Sequence, residues 1–274
     1  MTCYYPIIGL PRGIVSHLSY STLTHNQRTS GSLRPRDHSL DLAIYAPRRE
    51  GWQCLDRFAL PPAGDLSIRS SDYQLGPGEL LVAVPLRRAA APDPADLRLP
   101  LPCSKKVDRS PVAERCSLAF TWRGVTSSYQ GEYPVRMAQL ERGTLLSFDA
   151  LLQTGANVGL NLLCLVNLDR GCRSDEHNLE VFVARSRRRL HSIPYRSNSC
   201  CVVEISPDEV AGGEIFMRST TSLGIPIFIT LSREDLPASM SVEHTHPPTE
   251  LFSERDRMRG SRMIKSTWLG MPLQ

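Results

Sequence analysis

The chain has 274 residues, 41% of them hydrophobic and 22% charged, with a formal net charge of +4. A chain of that length buries roughly 70–75% of its unfolded surface, so it needs no disulfide or metal staple, and its ordinary charged fraction excludes whole-chain disorder. The longest apolar run, Val158 to Val166, is interrupted by Asn161. It falls far short of the ~20 residues of a spanning helix, so no membrane span is expected.

The amino-terminal segment differs from the rest. Residues 1–36 contain Arg12, Arg28, Arg34 and Arg36 and no Asp or Glu, so they account for the whole net charge and leave the remaining chain neutral. An acid-free start rich in Arg and Ser, broken by Pro6 and Pro11, predicts a disordered or leader-like tail.

From Leu40 onward the pattern is one of short alternating runs. Leu40, Leu42, Ile44 and Ala46 form one set, Trp52, Cys54 and Phe58 a second, and Leu66 with Ile68 a third. Leu80, Val82, Val84 and Leu86 follow the turn signal Gly76-Pro77-Gly78. Period two places each set on one face of a strand. Residues 37–88 therefore read as a first β module. Pro92, Pro94, Pro100, Pro102 and Pro111 then make 89–112 a Pro-rich linker, because Pro at that density blocks helices and central strands.

The alternation returns more strongly over 113–235, the second expected module. Its sets are Cys116 to Trp122, Leu146 to Ala150, Leu160 to Leu168, Val181 with Val183, Cys201 to Ile205, and Ile225 to Leu231. Pro226 in the last run predicts an edge strand. Few short helices are expected. Ser206-Pro207-Asp208-Glu209 is a capping box closed by Gly212-Gly213, Pro134 to Arg142 allows a second short helix, and 251–268 a third within a carboxy-terminal extension, 236–274. The fold class is all-β: an antiparallel β-sandwich, built as two sandwich-like modules or one large sandwich.

Eight cysteines are scattered without a C-x-x-C pair, several inside apolar runs. They read as free, mostly buried thiols, and place the protein in a reducing, cytoplasmic compartment. Adjacent Cys200 and Cys201 on a strand point to opposite faces.

Three segments carry chemistry. The first, residues 122–136, reads as a polar loop between confident strands, rich in hydroxyls and aromatics. Trp122, Tyr129 and Tyr133 offer flat apolar faces to a ligand, while Arg123 and Arg136 offer guanidinium forks to an anion. This loop defines the leading expectation: a non-catalytic intracellular binding or interaction module for a protein or small-molecule partner. The second is His244-Thr245-His246 followed by Glu250. On an extended backbone the two histidines share a face, and imidazoles with a carboxylate suit a divalent metal. H-x-H with Glu four residues later is similar to the first metal motif of cupins, double-sheet barrels in which these three positions are ligands. Ala238 stands where that motif has Gly, and no His follows Glu250. The resemblance implies the alternative function, a metal-dependent enzyme with His244, His246 and Glu250 as ligands and Glu132 as catalytic base. The third is Arg185-Ser186-Arg187-Arg188-Arg189, which gives a further alternative, phosphate or nucleic-acid binding. No nucleic-acid reader motif accompanies it, and the neutral body disfavours that partner.

Overall fold

A computed structural model describes residues 3–21, 40–60, 65–88, 96–103, 116–139, 145–149, 152–173, 175–183, 186–210, 215–219 and 224–244. The first half supplies β1 (Cys3–Ile8), β2 (Val15–Ser21), β3 (Leu40–Pro47), β4 (Trp52–Ala59), β5 (Asp65–Arg69) and β6 (Leu80–Arg87). Next come β7 (Cys116–Trp122), β8 (Val125–Gln130), β9 (Tyr133–Pro134), β10 (Leu145–Asp149) and β11 (Val158–Asn167). The chain continues through β12 (Glu176–Val183), β13 (Arg189–Arg196), β14 (Ser199–Ile205), β15 (Ile215–Ser219), β16 (Ile225–Ser232) and β17 (Met240–His244). The fold is all-β and sandwich-like, with short helical turns at Val135–Ala138 and Pro207–Val210. Among the described residues no helix is long and apolar enough to cross a membrane.

The strands form four antiparallel sheets, ordered β4-β3-β6-β1-β9, β5-β2-β7-β8, β14-β11-β16-β17 and β10-β15-β12-β13. Side-chain parity explains how they stack. In β1, Cys3, Tyr5 and Ile7 enter one apolar cluster with Leu18, Tyr20 and Ile68, while Tyr4 and Ile8 enter another. That second cluster also takes Val82 and Val84 of β6 and Leu162, Cys164, Ile227 and Ile229 from β11 and β16. The opposite faces of β11 and β14, with Leu163, Leu165, Cys201 and Val203, join Leu179, Val181 and Met217 in a third. The β6 and β11 sheets are thus buried on both faces. Their strands therefore read as near-continuous apolar runs rather than clean alternations.

The amino-terminal expectation is corrected here. Residues 3–21 form β1 and β2, and β1 lies between β6 and β9, with Tyr5 opposite Ala83 and Tyr4 opposite Tyr133. The apolar stretch Tyr4 to Ile8 is completely buried, and that burial outweighs the compositional bias around it. The two halves are also interleaved. β2 pairs with β7, setting Val15 opposite Thr121, so one sheet draws strands from both sides of the Pro-rich segment.

The described part of that segment is a strap. Leu97 accepts a hydrogen bond from the Trp52 amide at 2.7 Å, the Leu99 amide donates to the Arg170 carbonyl at 2.9 Å, and the Cys103 amide donates to the Pro85 carbonyl at 2.8 Å. Leu99 is wholly buried.

Pro226 also departs from expectation, because β16 is an interior strand. Pairing with β17 begins at Ile227, so the proline lies beyond the end of that ladder. The capping box at Ser206 is formed: its amide donates to the Glu209 carboxylate at 2.7 Å, and the Glu209 amide donates to its hydroxyl at 3.3 Å. The helical turn Val135–Ala138 lies within the expected 134–142 helix, and 251–268 lies outside the described residues.

Candidate functional site

Three strand connections and the start of β11 meet at one end of the stack. The β1–β2 turn, the β7–β8 turn and the β16–β17 turn there surround a cleft of about 820 Å³. That volume falls within the range of small-molecule sites, roughly 300–1,000 Å³. Trp122, Leu160 and Leu231 supply its apolar lining, and Arg12, Arg123 and Arg233 supply its cations.

Two of these arginines occupy the same local structure. Trp122 pairs with Val125, which leaves Arg123-Gly124 as a two-residue hairpin loop with φ of +46° and +85°. In the β1–β2 connection, Arg12-Gly13 has φ of +61° and +69°, and the Ile14 amide donates to the Pro11 carbonyl at 3.2 Å. Positive φ at both central residues marks the type I′ turn, whose twist matches a right-handed hairpin. Its first central position favours Asn, Asp or Gly, because an ordinary side chain is strained there by roughly 1–2 kcal/mol. Both turns place Arg at that position. The antiparallel β2–β7 pairing brings them to the same end of one sheet.

The arginines differ in how they are held. Arg12 grips Glu204 through two bonds, at 3.1 and 2.6 Å, and Arg233 grips Asp235 at 2.9 and 2.6 Å. The Arg12 bond holds the Glu204 carboxyl below its usual range, and the Arg233 bond does the same for Asp235. Arg123 is different. Its guanidinium lies 5.2 Å from the Trp122 ring centroid and donates to the Glu234 carbonyl at 3.2 Å. Among the described residues it has no carboxylate partner, so most of its five donors are uncommitted.

The far wall depends on a register shift between Val158 and Leu160 of β11. Gly159 lets the Arg233 backbone come so close that an added methyl would overlap it. The Arg233 amide then donates to the Asn157 carbonyl at 3.0 Å. Bulges of this kind commonly re-aim side chains beside functional sites.

The expected site residues divide. Trp122 and Arg123 line the cleft. Residues 122–136 are not an open loop but largely a hairpin, followed by β9 and a helical turn. Tyr133 has no exposed surface, and its hydroxyl accepts a bond from the Leu168 amide at 3.2 Å. Burial pushes its phenol well up. Tyr129 stacks parallel to Phe120 with centroids 6.1 Å apart, and its ring is 4.5 Å from the His244 ring. Burial pushes the Tyr129 phenol up as well. Tyr133 is thus a core residue, whereas Tyr129 is partly buried against Phe120 and His244.

Glu132 is half-buried at the β8–β9 bend, and Arg136 lies on the helical turn. The Tyr129–His244 contact brings β8 beside β17, so the 122–136 segment and His244 do meet. His246 and Glu250 lie outside the described residues. Among the described residues no cluster of three metal-ligating side chains occurs. Of the arginine run, Arg185 lies outside the described residues, Arg187 sits at φ +55° in the β12–β13 hairpin, and Arg189 bonds Glu180 at 3.2 Å.

Sequence reading did not single out Arg12, Gly159 or residues 231–235. A partial signal for Arg12 was present: Arg12-Gly13 stands between the apolar run Tyr4 to Leu10 and Ile14-Val15, as Arg123-Gly124 stands between Trp122 and Val125. Searches of known protein families, characterised proteins and solved structures find no match to this chain.

Proposed function

We propose that this protein is a non-catalytic binding module that captures a small anionic ligand in the cleft between the Arg12-Gly13 and Arg123-Gly124 turns. One observation carries the reading. Arginines from sequence-distant turns are held in strained conformations around one apolar-lined cleft, and Arg123 retains donors that no carboxylate among the described residues occupies. A guanidinium fork matches carboxylate or phosphate with two parallel bonds. Trp122 and Leu160 lower the local dielectric around those bonds, which strengthens them. Glu204 and Asp235 are engaged by arginine, so their role here is to hold the cations rather than to move protons. The eight free cysteines support a reducing, cytoplasmic setting for the module.

Titration with inorganic phosphate, followed by backbone NMR shifts, tests the proposal. The expected result is saturable shifts centred on residues 12–13, 122–124, 159–160 and 231–235, absent in Arg123→Gln. Glu204→Gln frees Arg12 and tightens binding by up to about fivefold, the size of an exposed ion pair. Shifts scattered over all arginines, or equal shifts in Arg123→Gln, would overturn it.

A further inference from the structure

The end of β11 remote from the arginine cleft carries a second group of reactive side chains. There Asn167 lies opposite Ser199 of β14, and Ser197-Asn198 links β13 to β14 in a tight turn. Three bonds fix that turn. The Ser197 amide donates to the Asp175 carbonyl at 3.0 Å, the Ser199 hydroxyl donates to the Arg196 carbonyl at 2.6 Å, and the Asn198 side-chain oxygen accepts the Asp169 amide at 2.6 Å. Asn198 sits at φ +59°, a conformation that Asn tolerates. The Ser197 hydroxyl oxygen is thereby held 2.8 Å from Nε2 of His177. The His177 ring is 8% exposed and lies 5.3 Å from the ring of Tyr195, its partner across β12 and β13. Burial pushes the imidazole below its usual value, against the pull of the Asp175 carboxylate and of Asp169, itself paired with Arg173 at 3.5 Å. The ring is therefore neutral at pH 7. Ser197 is only partly buried.

A serine hydroxyl is a weak nucleophile until an adjacent base takes its proton. Ser197 has such a base at hydrogen-bond distance, oriented by packing and uncharged. We propose that Ser197 is a covalent acceptor site for an activated acyl group, an ester or thioester with a good leaving group. The Ser197 oxygen attacks the acyl carbonyl and forms a new C–O bond. The bond from that carbon to the leaving oxygen or sulfur breaks, and its electron pair departs with the leaving group. The hydroxyl proton passes to His177 Nε2 and from there to the leaving group, so the donor is the only co-reactant. Burial of the imidazole keeps water from using the same base, so the acyl-serine persists and the reaction stops after one equivalent. It is a modification without turnover, and it is independent of the anion cleft.

Incubation of the full chain with p-nitrophenyl acetate tests this. The expected product carries one acetyl group on Ser197, located by peptide mass spectrometry after neutral hydroxylamine has stripped acetyl groups from the cysteine thiols. The acylation rate falls about a hundredfold or more in His177→Gln, the usual contribution of a general base. In the wild-type chain it falls with acid through a midpoint below the ordinary imidazole value near 6.5, as Nε2 takes up a proton. A serine that merely closes the turn shows neither effect. Ser197 left unmodified, acetylated as fast in His177→Gln, or acetylated at a rate without that midpoint would refute the proposal. Continued release of nitrophenolate that Ser197→Ala abolishes would refute the single-equivalent reaction. Thermal melting verifies that each variant is folded, and the wild-type pH profile needs no variant.

Discussion

Replacing Arg123 separates the two tasks of that residue. At φ +46° it occupies a turn position that strains most side chains. Asn tolerates this conformation and Ala does not, and strain for Ala is roughly 1–2 kcal/mol. Both substitutions remove the contact with Trp122, about 0.5–1 kcal/mol at an exposed site. Both also remove the bond to the Glu234 carbonyl. The Asn–Ala difference therefore isolates the turn, and about 1 kcal/mol corresponds to a Tm difference of roughly 2–4 °C in a protein of this size class. Binding behaves differently. A charged hydrogen bond to ligand contributes about 1.5–3 kcal/mol, so both variants should lose roughly ten- to a hundredfold in phosphate affinity. Thermal melting by circular dichroism and calorimetric titration on the same samples give the two readouts. Equal melting temperatures for Arg123→Asn and Arg123→Ala would refute the strain argument. Retained affinity in Arg123→Asn would refute the role of the guanidinium.

Two further outcomes follow from the packing. A chain beginning at residue 37 lacks β1 and β2, which opens two apolar clusters, and should aggregate or show no cooperative melt; a soluble protein with a sharp transition would contradict the central place of β1. Glu180 gives a pH test: burial pushes its carboxyl up, but the bonds from Arg218 and Arg189 outweigh burial and hold it below the ordinary value near 4.5. The pair's stabilisation is therefore complete above that value and lost as pH falls through the depressed one. Glu180→Gln should lower the urea midpoint at pH 7, and the gap from wild type should close under acid; a constant gap would show that charge is not the cause.

How much of this could be read from the sequence depends on how each strand is covered. The run Cys116, Leu118, Phe120, Trp122 alternates cleanly, and all four side chains are buried as expected. In β11 the period-two set was legible, but Leu163 and Leu165 between its members are buried just as deeply. Alternation identifies a strand with one wet face; it cannot order layers when both faces are dry. The adjacent thiols were legible, with Cys200 and Cys201 in different clusters on opposite faces. At the amino terminus the acid-free, Arg- and Ser-rich composition masks a five-residue apolar core, Tyr4 to Ile8, whose burial decides the structure. The cleft was half legible. Trp122 and Arg123 were marked from local chemistry, whereas Arg12 joins them only through the pairing of β2 with β7, a contact spanning over a hundred residues.

The burial of β1 also has a consequence during synthesis. Its partners β6 and β9 begin at residues 80 and 133, so the strand emerges first and closes late. At ~5–20 residues per second, β6, the first of these partners, follows β1 by roughly 4–15 s. Throughout that interval Cys-Tyr-Tyr-Pro-Ile-Ile is an unpaired, uncharged, β-prone segment, the kind that nucleates aggregation. Pro6, at the centre of an interior strand opposite Val82, withholds one amide from any foreign ladder. The residue that spoils the strand's regularity is thus its gatekeeper on the ribosome.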